Sequence, residues 1–141
     1  MGSDEEMLRY LFYYNVVLNF IFGIAFLLLP QNLGSAYSAP LNDTAIVVAR
    51  YFGSVLLPLA YVSWVAATAP SSALKLGLVR IVAVSQIVGL IVTILAMSSG
   101  TIGAAGGALN VVVEVISIAG FGYYGFVNTA DAMHREATVA R

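Results

Sequence analysis

Four stretches of this chain each hold about 20 or more residues with almost no charge, the length that carries an α-helix across a bilayer. They cover residues 8–29, 44–67, 73–97 and 108–127, followed by a polar tail, 128–141. Pro30 stops the first stretch. Asn42 or Asp43 is placed to cap the second. Pro70-Ser71-Ser72 makes a short turn before the third, and the glycine-rich residues 98–107 separate the third from the fourth. A membrane barrel would alternate polar and apolar residues with period two, and these runs do not. The fold expected is an all-α, integral membrane four-helix up-down bundle in one transmembrane domain.

Composition agrees. The chain is 60% hydrophobic and 9% charged, with mean hydropathy +0.92. A soluble domain carries about 25% charged residues. A net charge of −1 offers no footprint for nucleic acid. Cysteine is absent, which removes disulfides and thiolate metal sites. The single histidine, His134, lies in the tail with Arg135 and Glu136, so a bis-histidine haem within one chain is excluded and no metal or cofactor is expected. The segment Met1-Gly2-Ser3-Asp4-Glu5-Glu6 lacks the basic start of a cleaved signal peptide. Glu6 also breaks the myristoylation pattern. The first span is therefore expected to be retained.

The basic residues give a direction. With four crossings, Arg9, Lys75, Arg80, Arg135 and Arg141 fall on one side, and the other two connections carry no Lys or Arg. The positive-inside rule then places both termini in the cytoplasm of a multi-pass cell-membrane protein.

Two charges interrupt the apolar runs. Glu114 lies in Leu109-Asn110-Val111-Val112-Val113-Glu114-Val115-Ile116, and Arg50 in Ala45-Ile46-Val47-Val48-Ala49-Arg50-Tyr51-Phe52. A charge at bilayer depth costs roughly 2.5–3.5 kcal/mol on insertion scales. Both residues are expected about 10–12 Å below the starts of their helices, a depth that would let them form an intramembrane salt bridge. Asn15 and Asn19 share one face of the first helix. Gln86 lies near the middle of the third. Asn110, Glu114 and Ser117 form a stripe on the fourth, and Arg50 and Ser54 share a face of the second. Lipid offers no hydrogen bonds, so these groups are expected to converge on the bundle axis. The bland reading is a structural network that ties helices together. The sharper one is a ligand site centred on Arg50 and Glu114, with Asn15, Asn19, Gln86 and Asn110 around it.

Other features carry less. Pro58 inside the second helix is expected to kink it. Gly103 and Gly107 make one GxxxG at a helix end, where a flexible loop is the simpler reading. Tyr10, Phe12, Tyr13 and Tyr14, and the aromatics among Gly120, Gly122 and Gly125, read as interfacial belts. Phe22-Gly23 before Leu28-Leu29-Pro30 is echoed by Phe52-Gly53 before Leu56-Leu57-Pro58.

The run Ala49-Arg50-Tyr51-Phe52-Gly53-Ser54-Val55-Leu56-Leu57, with Leu28-Leu29-Pro30 and Gly107-Ala108-Leu109-Asn110, resembles small bacterial four-helix membrane proteins that are DoxX-like in layout. The resemblance implies four spans and a bacterial or archaeal membrane, and it brings no catalytic residues. Small multidrug transporters also have one membrane glutamate, but theirs lies in the first helix. Fluoride channels have an Arg-Tyr pair, but it follows a glycine-rich first segment. Both comparisons fail on position.

Three functions stay open. The first is a non-enzymatic accessory or scaffold subunit of a membrane complex, with a membrane-protein partner or further copies of itself. The second is a carrier or binder of a small polar or amphipathic ligand (a lipid, quinone or ion) within the bundle. The third, a membrane enzyme, has thin acid–base machinery in Glu114 alone.

Overall fold

The computed structural model describes residues 2–128. His134, Arg135 and Arg141 of the tail fall outside the described residues. Helix α1 covers Gly2–Leu28, with Asp4 and Glu5 in its first turn, where the helix dipole favours acids. It ends before Pro30, which cannot continue the helix. Pro30 opens a new short helix instead, α2 (Pro30–Ala36), at the first position, where its missing N–H costs nothing. Part of the connection expected as loop is therefore helical.

Helix α3 covers Asp43–Thr68 and runs unbroken through Pro58. Its cap is Asn42, whose side chain accepts from Ala45 N at 2.9 Å. Helix α4 covers Ala73–Ser98, capped by Ser72 Oγ accepting from Lys75 N at 3.2 Å. Helix α5 covers Ala104–Gly122 and passes into a π-helical turn, Tyr123–Val127. It starts one turn earlier than the glycines suggested, because Gly106 and Gly107 are helical and buried. No strand occurs among the described residues.

The chain is all-α, with four helices long and apolar enough to cross a membrane. Their outer surfaces support that solvent: Val48, Val55, Val88, Val92, Leu95 and Val112 are all exposed. Apolar exposure of this extent would aggregate a monomer in water.

The helices form two antiparallel pairs. In one, α1 lies along α3, with Asn15 beside Ser63 and Phe26 beside Phe52. In the other, α4 lies along α5, with Thr93 beside Glu114 and Arg80 beside Gly125. One end of the bundle, here the base, holds the start of α1, the α3–α4 turn and the π-helical turn. Ser71 Oγ donates to Glu5 Oε1 there at 2.6 Å, and Arg80 Nε donates to Gly125 O at 2.9 Å. The opposite end, the crown, holds α2 and the α4–α5 connection, joined by Gly103 N donating to Tyr37 O at 2.7 Å.

The core sits toward the base. Phe12 and Phe121 are 1% and 0% exposed and meet edge to face at 5.3 Å between ring centroids. Ala66, Ala67, Val79 and Ala83 close around them. Gly120 lies against Leu11, so α1 and α5 bring the two pairs together at this level. Toward the crown the pairs leave a cavity.

Candidate functional site

The cavity has a volume of about 420 Å3 and is lined by residues of all five helices. Helix α1 contributes Phe22 and Phe26, and α3 contributes Ala49 and Phe52. The α2 end and the stretch after it supply Leu33 and Tyr37. From the other pair come Gln86 and Thr93 on α4, with Asn110 and Glu114 on α5. Phe52 and Val92 both line the cavity and are 52% and 59% exposed, so it reaches the surface at the flanks of α3 and α4.

Glu114 is the carboxyl among the described residues lining this space, and it is 9% exposed. Thr93 Oγ1 donates to its Oε1 at 3.1 Å. Gly89, one turn before Thr93 on α4, leaves room for the carboxyl: a Cβ there would stand 2.8 Å from Oε1. Oε2 is buried and has no hydrogen-bond partner among the described residues. Buried polar atoms are nearly always paired, so an orphan of this kind calls for an explanation. One turn nearer the crown, Asn110 Oδ1 accepts from the Tyr37 hydroxyl at 2.6 Å. Burial, and then the Glu114 carboxylate, push the Tyr37 phenol above its ordinary pKa of 10.0, so it stays neutral and donates.

Arg50 does not join this site. It is exposed on α3, and no salt bridge with Glu114 forms among the described residues. Two causes separate them. Arg50 lies seven residues after Asp43, whereas the early start of α5 puts Glu114 ten residues after Ala104; the depths are about 10 Å and about 15 Å at 1.5 Å per residue. The buried stripe of α3 is Ala49, Gly53, Ala60 and Ser63, which turns position 50 outward with Tyr51.

The remaining polar residues divide rather than converge on one axis. Asn15 Nδ2 donates to Ser63 Oγ at 2.9 Å, buried between α1 and α3. Asn19 Nδ2 donates to the Asn15 carbonyl at 2.9 Å. This pair belongs to the α1–α3 seam, not to the cavity. Gln86 and Asn110 do line the cavity with Glu114. Ser117 is fully buried and donates back to the Val113 carbonyl at 2.9 Å, so it is satisfied within its own helix.

Two members were not singled out from the sequence. Thr93 is one hydroxyl in Ile91-Val92-Thr93-Ile94-Leu95, and folding α4 onto α5 about residues 99–103 sets it opposite Glu114. Tyr37 sat in a stretch expected to be loop, where its aromatic ring was the available signal. Among the described residues, no group of three His, Cys, Asp or Glu side chains is placed to hold a metal ion. No protein-family model, curated protein or solved structure matches the chain.

Proposed function

We propose that this chain is a multi-pass protein of the cell membrane that takes a small amphipathic molecule from the bilayer and binds or carries it beside Glu114. The observation that supports this reading is Glu114, a buried carboxyl with one oxygen left unpartnered among the described residues, in the lining of a cavity of about 420 Å3. Small-molecule sites fall in the range of about 300–1,000 Å3, mostly apolar with a few placed polar groups. An ionisable side chain within a membrane helix is rare without a role. The flank between α3 and α4 gives a lipid-side entrance. Arg9, Lys75 and Arg80 all lie in the half nearer the base, so we place the base and both termini on the cytoplasmic side. The cavity then belongs to the outer half of the bilayer.

The test is native mass spectrometry of the protein purified from membranes, beside the cavity-filling variant Ala96→Trp, at a position on α4 that also lines the cavity. A small molecule retained by the parent and lost from the variant is expected. Equal retention by both, or none by the parent, would remove the binding reading.

Arg50 favours a second reading, an accessory subunit of a membrane complex or a homo-oligomer. A guanidinium exposed on an apolar helix needs an acceptor outside this chain, and an acidic residue of a neighbour would supply one. Co-purification of a partner that is lost in Arg50→Gln would support it. Unchanged association would leave Arg50 to the lipid headgroups, which its long stem can reach.

A further inference from the structure

We infer that the molecule bound in the cavity carries a single positive charge on an apolar, largely aromatic-sized body: a protonated or quaternary ammonium-type cation. This rests on the reading of the cavity as a binding site. Among the described residues lining it, Glu114 and Tyr37 are the titratable groups, and no Lys or Arg is present. The elements packed around Glu114 add no cation: α4 presents Gly89 and Thr93, and α1 and α3 present aromatic and aliphatic groups. Arg50, the basic residue nearest in sequence on α3, points away.

A carboxylate at this depth thus lacks a counter-charge from its own chain. An anionic ligand would set two like charges together in a low-dielectric space. A cation would supply the counter-charge that the Glu114 carboxylate lacks among the described residues lining the cavity. The rest of the wall suits such a guest. The rings of Phe22, Phe26, Phe52 and Tyr37 line the same cavity, and aromatic faces attract cations most strongly where water is excluded. Phe26 and Phe52 meet edge to face at 5.1 Å, so these two rings form one continuous wall. Asn110 and Thr93 offer oxygens beside the carboxyl, whereas a bare divalent ion would want more carboxylates than one.

Charge and proton should also exclude each other. When Glu114 takes a proton, the attraction for a cation is lost, and a bound cation in turn holds the proton off. Tyr37, the other titratable group facing the cavity, stays neutral through this range.

The experiment measures equilibrium binding to the full chain in lipid nanodiscs. The probes are tetraphenylphosphonium, its anionic counterpart tetraphenylborate, and an uncharged naphthoquinone. The cation is expected to bind, the anion not to. Glu114→Gln should weaken the cation by about thirtyfold or more, the scale for losing one partner of a desolvated charge contact. Phe52→Leu should weaken it by several-fold without removing the carboxyl. In the unmodified protein, affinity for the cation should fall about tenfold per pH unit on the acid side of the Glu114 titration, a profile absent from Glu114→Gln. The pH profile needs no variant, so a poorly folded Glu114→Gln would not shield the proposal. Naphthoquinone binding that excludes the phosphonium, or phosphonium binding indifferent to pH, would overturn the cation assignment while leaving the cavity a binding site. Failure of all three probes to bind the parent, or equal binding to Ala96→Trp, would overturn both.

Discussion

Gly23 of α1 and Gly53 of α3 lie against each other where the two helices cross: a Cβ on Gly53 would stand 2.8 Å from the Gly23 carbonyl oxygen and 2.7 Å from Leu27 N. Both obstacles are backbone and cannot rotate aside. The two positions are those of the repeated Phe-Gly pairs in the sequence, and the close approach gives the repeat a physical role. Small residues at a crossing let helices pack in lipid, where no hydrophobic force drives them together. Gly53→Ala is therefore expected to destabilise the protein by about 1–3 kcal/mol, the scale of overpacking. Gly77→Ala on α4 serves as the control, since nothing lies within 4 Å of a Cβ there. Thermal unfolding in one detergent should lower Tm for the first and leave it unchanged or raised for the second.

The Asn15–Ser63 hydrogen bond ties the same two helices nearer the base. Interhelical bonds in membranes average about 0.6 kcal/mol and reach about 1.7 kcal/mol. Ser63→Ala should cost an amount in that range. Adding Asn15→Leu should recover part of it, because the amide left without an acceptor is then gone. A double-mutant cycle measures the coupling, and a coupling of zero would show that the pair only fills space.

Tyr37 should make stability fall at high pH. Its phenol is protonated more tightly in the folded protein than the ordinary value of 10.0 allows. The contribution is complete below pH 10.0 and is lost as pH rises through the elevated folded value. Tyr37→Phe should flatten this alkaline loss. It should also lower stability slightly near neutrality, since the bond to Asn110 disappears. Parallel slopes for parent and variant above pH 10.0 would refute the assignment.

Sidedness can be read with thiols, because the chain has no cysteine of its own. Ser71→Cys sits at the base and Ser99→Cys at the crown, both exposed. An impermeant maleimide added to intact cells should label position 99 and spare position 71. The reverse pattern would invert the proposed orientation and move the cavity to the cytoplasmic half.

What could be read from the sequence followed from length and solvent. Runs this long and oily leave helices across a bilayer as the ready solution, and the chain does form four helices long and apolar enough for it. Glu114 was legible as an interior group because a carboxylate in such a run is costly facing lipid. The direction of Arg50 was not legible. Its helix is apolar nearly all round, so hydrophobic phase says little about which face is buried. The face is marked by size instead, through Ala49, Gly53, Ala60 and Ser63. The start of α5 was obscured for a related reason. Gly106 and Gly107 weaken a helix in isolation, but here they admit Tyr37 and Met97 against the backbone, and close packing replaces propensity.

The lopsided distribution of packing has a mechanical meaning. The helices are fastened two by two, and the two fastened units pack together near Phe12 and Phe121 and touch again at the crown through Tyr37. That junction is a natural fulcrum. A small tilt of one unit against the other would widen or pinch the flank between α3 and α4 while each seam stays intact, straining only the crown bonds from Tyr37 to Gly103 and Asn110, so a guest could enter sideways from the acyl chains without unfolding anything. Spin labels at Val48 and Val92 should accordingly report a broader spread of distances than a pair at Met7 and Leu74.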